Sequence, residues 1–451
     1  MILTRQTARI GFVSLGCAKN LVDSEIFAHE LMKAGYKLAE SPERSDILII
    51  NTCAFIADAK KEAIDAIFNA CELKRRGKTK MVIVAGCLPQ RYRASIRSLF
   101  PDVDAFIGVD GLKKIPSVVN RLLNGQIGIR EISTVPRAII NPNPERIVFT
   151  SAPYAYLKIA EGCDHRCAFC AIPQIRGKYR SRPMASIVKE AEGLLSRGYH
   201  ELNLIAQDVT FYGSDLGGNN NLPNLLRKIG RIGGKFWIRL LYGYPAHVGD
   251  DLLAAMAEIP QVCHYLDLPV QHCSARILQM MGRGGNENAL RTLFAKIRKM
   301  LPDITLRTTC LVGFPGETEN DFARLVNFIK ETAFDHLGVF VFSEEEGTRA
   351  AGLPCQVSRR IALRRRGALM RAQQKNVARK LNGLLGGIDE LFIEKKKAGT
   401  RNTWIARSRR QAPEIDNTVF FRDYTCKCDQ GIFVKARYVR TSGYDLIAEP
   451  I

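Results

Sequence analysis

Three short apolar runs, at residues 10–15, 47–52 and 81–86, each close on small or polar residues and lead into a cysteine: Cys17, Cys53 and Cys87. Stretches with helical spacing lie between them, around 23–34 and 56–75. Continuous apolar runs alternating with amphipathic helices predict buried parallel strands joined by crossovers. The three cysteines then fall at the carboxyl ends of strands, the edge at which open α/β sheets bind ligands.

After Asn124 the periodicity fades through a stretch holding Pro136, Pro142 and Pro144, which reads as a linker. A second α/β unit begins near Phe149. It carries six strand candidates, 156–160, 201–206, 236–241, 265–270, 304–312 and 337–342, each followed by a helical stretch. Six such units predict a partial (β/α)6 barrel with its chemistry at the C-terminal rim. A helix rich in arginine, with Arg359, Arg360, Arg364, Arg365, Arg366, Arg371 and Lys375, closes it. Beyond Gly386-Gly387, β-rich runs at 390–394, 403–407, 418–422, 431–439 and 444–448 predict a small antiparallel barrel. The expected fold class is therefore α/β and multidomain: a parallel α/β domain at 8–125, a linker at 126–148, the partial barrel with its closing helix at 149–380, and the β-barrel at 381–451.

Composition narrows the setting. A chain of 451 residues exceeds one ordinary core, since domains run about 100 to 200 residues. With 46% hydrophobic and 25% charged residues it is a folded globular chain. Its 66 Lys and Arg against 45 Asp and Glu leave a formal charge of +21, which favours a polyanionic neighbourhood such as RNA. No run approaches the about 20 apolar residues that cross a bilayer, so no membrane is expected and the cytoplasm is the expected compartment. Thirteen cysteines kept reduced there point to metal or catalytic use over disulfides.

Cys163-Asp-His-Arg-Cys167-Ala-Phe-Cys170 places three thiols in a loop just after a strand. Cysteine thiolates at such spacing hold iron-sulfur clusters, and three ligands leave the fourth iron of a 4Fe-4S cube open. A structural zinc site would want four closed ligands, with His165 strained into the set. Cys17, Cys53 and Cys87 are far apart in sequence, and lone cysteines are more often core residues. The repeated strand-to-cysteine pattern instead makes them a second trio with an incomplete shell. Cys71, Cys263, Cys273, Cys310, Cys355, Cys426 and Cys428 carry no ligand spacing, and most are expected in the core. Further rim candidates are Gln207 and Asp208 after the second barrel strand, Gln271 and His272 after the fourth, Arg307 in the fifth, and the turn Gly313-Phe-Pro-Gly316-Glu317 behind it. A plain strand-to-helix turn or ordinary strand-end polarity accounts for each of these equally simply.

At Cys163 to Cys170 the chain resembles the radical S-adenosylmethionine enzymes, and over nearly its whole length it is similar to their methylthiotransferase family. The segments Ser14-Leu-Gly-Cys17-Ala-Lys-Asn-Leu-Val-Asp-Ser-Glu25, Asn51-Thr-Cys53 and Val84-Ala-Gly-Cys87-Leu-Pro-Gln-Arg-Tyr92 carry the likeness, with Ile205-Ala-Gln-Asp208, Glu345-Glu-Gly-Thr348 and Pro413-Glu-Ile-Asp416. They resemble the branch that modifies an aspartate of small-subunit ribosomal protein twelve, more than the branch that modifies tRNA. Ala18 and Asn417 stand where proline and glycine are usual in that branch. The resemblance implies two 4Fe-4S clusters and S-adenosylmethionine as cofactors, with a low-potential electron donor. Cys163, Cys167 and Cys170 would hold the cluster that cleaves S-adenosylmethionine, with Gly313, Gly316, Glu317, Gln207, Asp208, Arg307 and Gln271 as its contacts. Cys17, Cys53 and Cys87 would hold the auxiliary cluster that carries the sulfur. The last barrel resembles a TRAM domain, expected to dock the ribosomal protein through Glu414 and Asp416 and to be removable without loss of either cluster. A non-catalytic RNA-binding iron-sulfur protein is the reading from another class.

Overall fold

Strands β1 (Arg9–Ser14), β2 (Lys37–Leu38), β3 (Ile47–Thr52), β4 (Met81–Gly86), β5 (Ala105–Ile107) and β6 (Ile129–Glu131) form one sheet, parallel throughout, in the order β2-β1-β3-β4-β5-β6. The computed structural model from which this is read describes residues 7–139, 141–424 and 428–451. Every residue of β3 is buried. Its side chains alternate between two cores: Ile47 and Ile49 pack toward the helix Ala18–Lys33, Leu48 and Ile50 toward the helix Ala57–Arg75. A strand covered on both faces has no polar side to show, which is why the run reads as continuously apolar. The stretch expected as a linker, 126–148, contributes β6 and the fully buried Arg146, so it is built into the fold instead of tethering two bodies.

The second sheet runs β14-β13-β12-β11-β10-β7, again parallel: β7 (Tyr154–Lys158), then the short pair β8 (Ala160–Glu161) and β9 (Arg180–Ser181) beside it, β10 (Glu201–Ile205), β11 (Trp237–Leu240), β12 (Val262–Asp267), β13 (Thr305–Val312) and β14 (His336–Val341). The strand expected over 265–270 lies earlier, at β12, because Pro269 has no N–H for the ladder and ends the pairing. The C-terminal barrel closes in the order β15-β16-β17-β19-β18, with β15 (Ile388–Lys396), β16 (Thr403–Arg407), β17 (Val419–Arg422), β18 (Phe433–Ser442) and β19 (Asp445–Pro450). It is antiparallel apart from the β17–β19 pair, which runs parallel.

One apolar cluster belongs to all three units. Ile10 of the first sheet with Ile26 and Phe27 of its helix Ala18–Lys33, Tyr156, Trp237 and Tyr265 from the second sheet's strands, and Phe392 and Ala412 of the C-terminal barrel pack in it together. Cys71, Cys263, Cys273 and Cys310 are buried as expected, Cys355 is exposed, and Cys426 lies outside the described residues. Among the described residues no helix is long and apolar enough to cross a membrane.

Candidate active site

Each cysteine of the wide trio stands where a parallel strand ends. Cys17 caps the helix Ala18–Lys33, Cys53 follows β3, and Cys87 opens the helix Cys87–Arg91 directly after β4. Glycines make the tight exits possible: Gly16 and Gly86 hold φ of 87° and 92°. A Cβ on Gly16 would lie 2.6 Å from the Cys53 Cβ, and one on Gly86 2.2 Å from Asn51 Oδ1. An alanine at either position would therefore strike the cysteine shelf as well as strain its backbone. Burial pushes Cys87 up to about 12, while the neighbouring Arg176 pulls the other way. Arg176 donates to Cys87 Sγ at 3.5 Å, and the Cys87 thiol reaches Asn20 Oδ1 at 3.7 Å.

The close trio, Cys163, Cys167 and Cys170, lines a cavity of about 680 Å³ behind β8. All six thiols are free. Burial raises Cys163 to about 11 and Cys170 to about 12, so a bound metal is what would hold them as thiolates. Arg283 donates to Cys167 Sγ at 3.5 Å and the backbone N–H of Ile172 to Cys170 Sγ at 3.4 Å. Donors already aimed at sulfur, in two sets of three thiols at strand ends, fit iron-sulfur ligation.

A buried ion network reaches the wide trio at Cys87 and is built from the segments that flank the close trio in sequence. Arg176, at the end of the short helix Ile172–Arg176 that follows Cys170, contacts Asp23 at 3.0 Å and Glu161 at 2.9 and 3.0 Å. Lys158 bridges the same two carboxylates at 2.5 and 2.8 Å. Burial works against the charge on Glu161, but Arg176 and Lys158 outweigh it and hold the carboxyl well below its usual range. Lys19 is nearly buried beside this network. Its Nζ sits 3.4 Å over the Tyr242 ring and 3.4 Å from the Ala206 carbonyl. Burial lowers its pKa, and nearby Cys17 pulls it back.

The expected S-adenosylmethionine contacts divide. Gln207 donates to Glu161 at 2.8 Å on the rim. Asp208 accepts from His165 Nε2 at 2.8 Å, His247 Nδ1 at 2.9 Å and the Thr210 N–H at 3.0 Å. Burial opposes its charge, yet these bonds hold it down to about 2. His165 in turn stacks on Tyr244 at 4.0 Å, so the cysteine loop is clamped to the rim. Gln271, at a φ of 65°, exchanges backbone bonds with β13 through Thr309 and Leu311. The remaining four positions are held by neighbouring side chains. A Cβ on Gly313 would meet Ala362 of the helix Arg359–Asn382 at 2.5 Å, Glu317 pairs with Arg365 of that helix at 3.0 Å, and Gly316 accepts from Arg276 at 2.7 Å. Arg307 is held between Asp267 at 3.0 Å and Asp416 at 3.3 Å.

The last contact corrects the expectation for the C-terminal barrel. Asp416 does not face a partner: its side chain is 1% exposed and accepts from Tyr265 OH at 2.6 Å and the Ala412 N–H at 2.8 Å. Glu414 accepts from Tyr154 OH at 2.8 Å and Tyr156 OH at 3.4 Å. Arg407 reaches buried Glu201 at 2.5 Å. The loop after β16 is thus a plug in the open barrel. Sequence reasoning also passes over Lys19, Arg176 and His247, whose only local signal is a polar group beside cysteine or strand-end motifs.

Matches to known proteins follow this division. Residues 9–108 match the model described as Uncharacterized protein family UPF0004, residues 157–329 the Radical SAM superfamily, and residues 386–451 the TRAM domain. The ribosomal protein uS12 methylthiotransferase RimO of Syntrophus aciditrophicus is 44% identical over 99% of both chains. That of Pelobacter propionicus is 42% identical over 98% of this chain and 97% of its own. The chain belongs to the RimO family of radical S-adenosylmethionine methylthiotransferases. Solved structures share the fold at low identity. The methyltransferase TsrM from Kitasatospora setae, with cobalamin and a [4Fe-4S] cluster bound, superposes at a TM-score of 0.57 with 13% identity over 76% of this chain and 74% of its own. OxsB, a cobalamin-dependent radical enzyme, superposes at 0.53 with 12% identity over 81% and 56%.

Proposed function

We propose that this enzyme places a methylthio group on the β-carbon of an aspartate in ribosomal protein uS12, the substrate its relatives' names print. The observation that carries the reading is the pair of cysteine trios at strand ends, with Arg176 donating to Cys87 of one and lying on the short helix that follows Cys170 of the other. Cys163, Cys167 and Cys170 are assigned one 4Fe-4S cluster, and Cys17, Cys53 and Cys87 the other. The β-hydrogen of an aspartate is too weakly acidic for a side-chain base at neutral pH. When bound, the clusters and S-adenosylmethionine supply the hydrogen-abstracting radical and the sulfur that such a carbon requires.

The chain's own residues orient and enclose. Arg176 and Asn20 fix the Cys87 sulfur, and the His165–Asp208–His247 clamp fixes the loop of the other trio. Gln207, Asp208, Gln271 and the backbone of Gly313 and Gly316 are assigned to S-adenosylmethionine, while Arg307 and Glu317 act through their ion-pair partners. The work is cytoplasmic and draws on a low-potential electron donor, and the charge of +21 supports a setting near ribosomal RNA. That charge also favours the second reading, a tRNA methylthiotransferase. Mass spectrometry of ribosomal proteins and tRNA from a strain lacking the gene decides between them. The uS12 aspartate should lose its methylthio group and the tRNA should keep its own; the reverse pattern would replace the first reading with the second.

A further inference from the structure

Eight lysine or arginine side chains are buried among the described residues, and seven of them face carboxylates. Arg146, Lys158, Arg176, Arg182, Arg239, Arg365 and Arg407 each form at least one ion pair with Asp or Glu. Lys19, 8% exposed, forms none. An ammonium taken out of water without an anion is costly, and the long bond to the Ala206 carbonyl with the face of Tyr242 replaces little of what is lost. At least one of its three N–H donors is unspent.

Its position gives the vacancy a use. Ala206 follows β10 and Tyr242 follows β11, so Nζ stands at the carboxyl rim of the partial barrel, two residues along the chain from Cys17. Tyr242 is held under it by a backbone at φ 66°, a strained conformation for a non-glycine residue. Other cations nearby are taken: Arg176 by Asp23 and Glu161, Arg307 by Asp267 and Asp416. We propose that Lys19 is the substrate-binding residue that receives the side-chain carboxylate of the aspartate to be modified. The inference rests on the proposed function. In aspartate the carboxylate is bonded directly to the β-carbon, so a cation that grips it also fixes the reacting carbon between the two trios. An amide would leave the ammonium without its anion, which gives the site a means of rejecting asparagine.

The test uses the full-length enzyme carrying both clusters, with uS12 and a uS12 variant bearing asparagine at the accepted aspartate as substrates. The wild-type enzyme should prefer aspartate in kcat/KM. Lys19→Met should lower that preference by about tenfold or more, chiefly through KM, the scale of one lost charge-assisted hydrogen bond. Lys19→Arg should keep most of it. Methionine fills the same volume without a buried charge, so the variant should fold and hold its full iron content. An unchanged preference in Lys19→Met overturns the proposal, as does a loss of iron or a shift in auxiliary-cluster potential with the preference intact, which would make Lys19 a counter-ion of the cluster. If the wild-type enzyme leaves uS12 untouched, the substrate assignment itself is what fails.

Discussion

At the scale of single residues, the two trios make separable claims. Alanine at Cys163, Cys167 and Cys170 together should remove about half of the iron and abolish cleavage of S-adenosylmethionine. Alanine at Cys17, Cys53 and Cys87 should remove a similar share, spare cleavage and end sulfur transfer; iron assay and product analysis read both. Asp208 adds a pH signature. Its folded pKa of about 2 lies below the unfolded value, so its contribution, about 2 kcal/mol, is present above pH 4 and lost as pH falls toward 2. Asp208→Asn should lower the melting temperature of the metal-free protein at pH 6, and the gap to wild type should narrow below pH 4. A gap that is constant with pH would mean that the histidine bonds do not stabilise the charged carboxylate.

At the scale of elements, the plug after β16 is the feature with the clearest energetic consequence. Asp416→Ala strips Tyr265 OH of an acceptor and leaves Arg307 with Asp267 alone. Breaking such buried polar contacts costs about 3 kcal/mol, so thermal unfolding of the metal-free variant should shift down by several degrees. Truncation before residue 386 should yield misfolded chain in place of a cluster-bearing enzyme that merely loses its substrate. β1, β3 and β4 are legible in the sequence because strands covered on both faces need unbroken apolar runs, and their terminal cysteines follow from the same grammar. β5 and β6, three residues each, are too short to leave a period. The burial of the Asp416 carboxylate and the tethering of Glu414 are illegible for another reason: nothing local in Pro413-Glu-Ile-Asp416 signals that tyrosines of another sheet will hold those carboxylates. Lys19 and Arg176 stay hidden likewise, since their meaning lies in which carboxylates the fold brings, or fails to bring, across domain boundaries.

At the scale of the whole molecule, the spacing of the trios depends on how the first sheet is fastened to the partial barrel. Arg146, fully buried, forms ion pairs with Glu25 of the first domain and with Glu190, which lies 2.8 Å away on the helix Met184–Ser196. It also donates to the Tyr156 carbonyl of β7 at 2.5 Å, while Glu25 accepts from the Phe149 N–H at 2.8 Å. Replacing Arg146 by methionine leaves Glu25 buried without its ion-pair partner and Glu190 with Arg182 alone, a loss of about 3–5 kcal/mol concentrated at the junction. None of these groups touches either trio, so each cluster site keeps its own ligands while their mutual registration loosens. Arg146→Met should therefore raise the amount of S-adenosylmethionine cleaved per methylthio group transferred, because misplacing reacting groups by about 1 Å is enough to cost a large factor in rate. It should also open the segment between β6 and β7 to limited proteolysis, with both iron contents retained. Chromatographic assay of 5′-deoxyadenosine against modified protein gives the ratio; tight coupling in a variant whose junction is cleaved would show that the barrel alone sets the geometry of transfer.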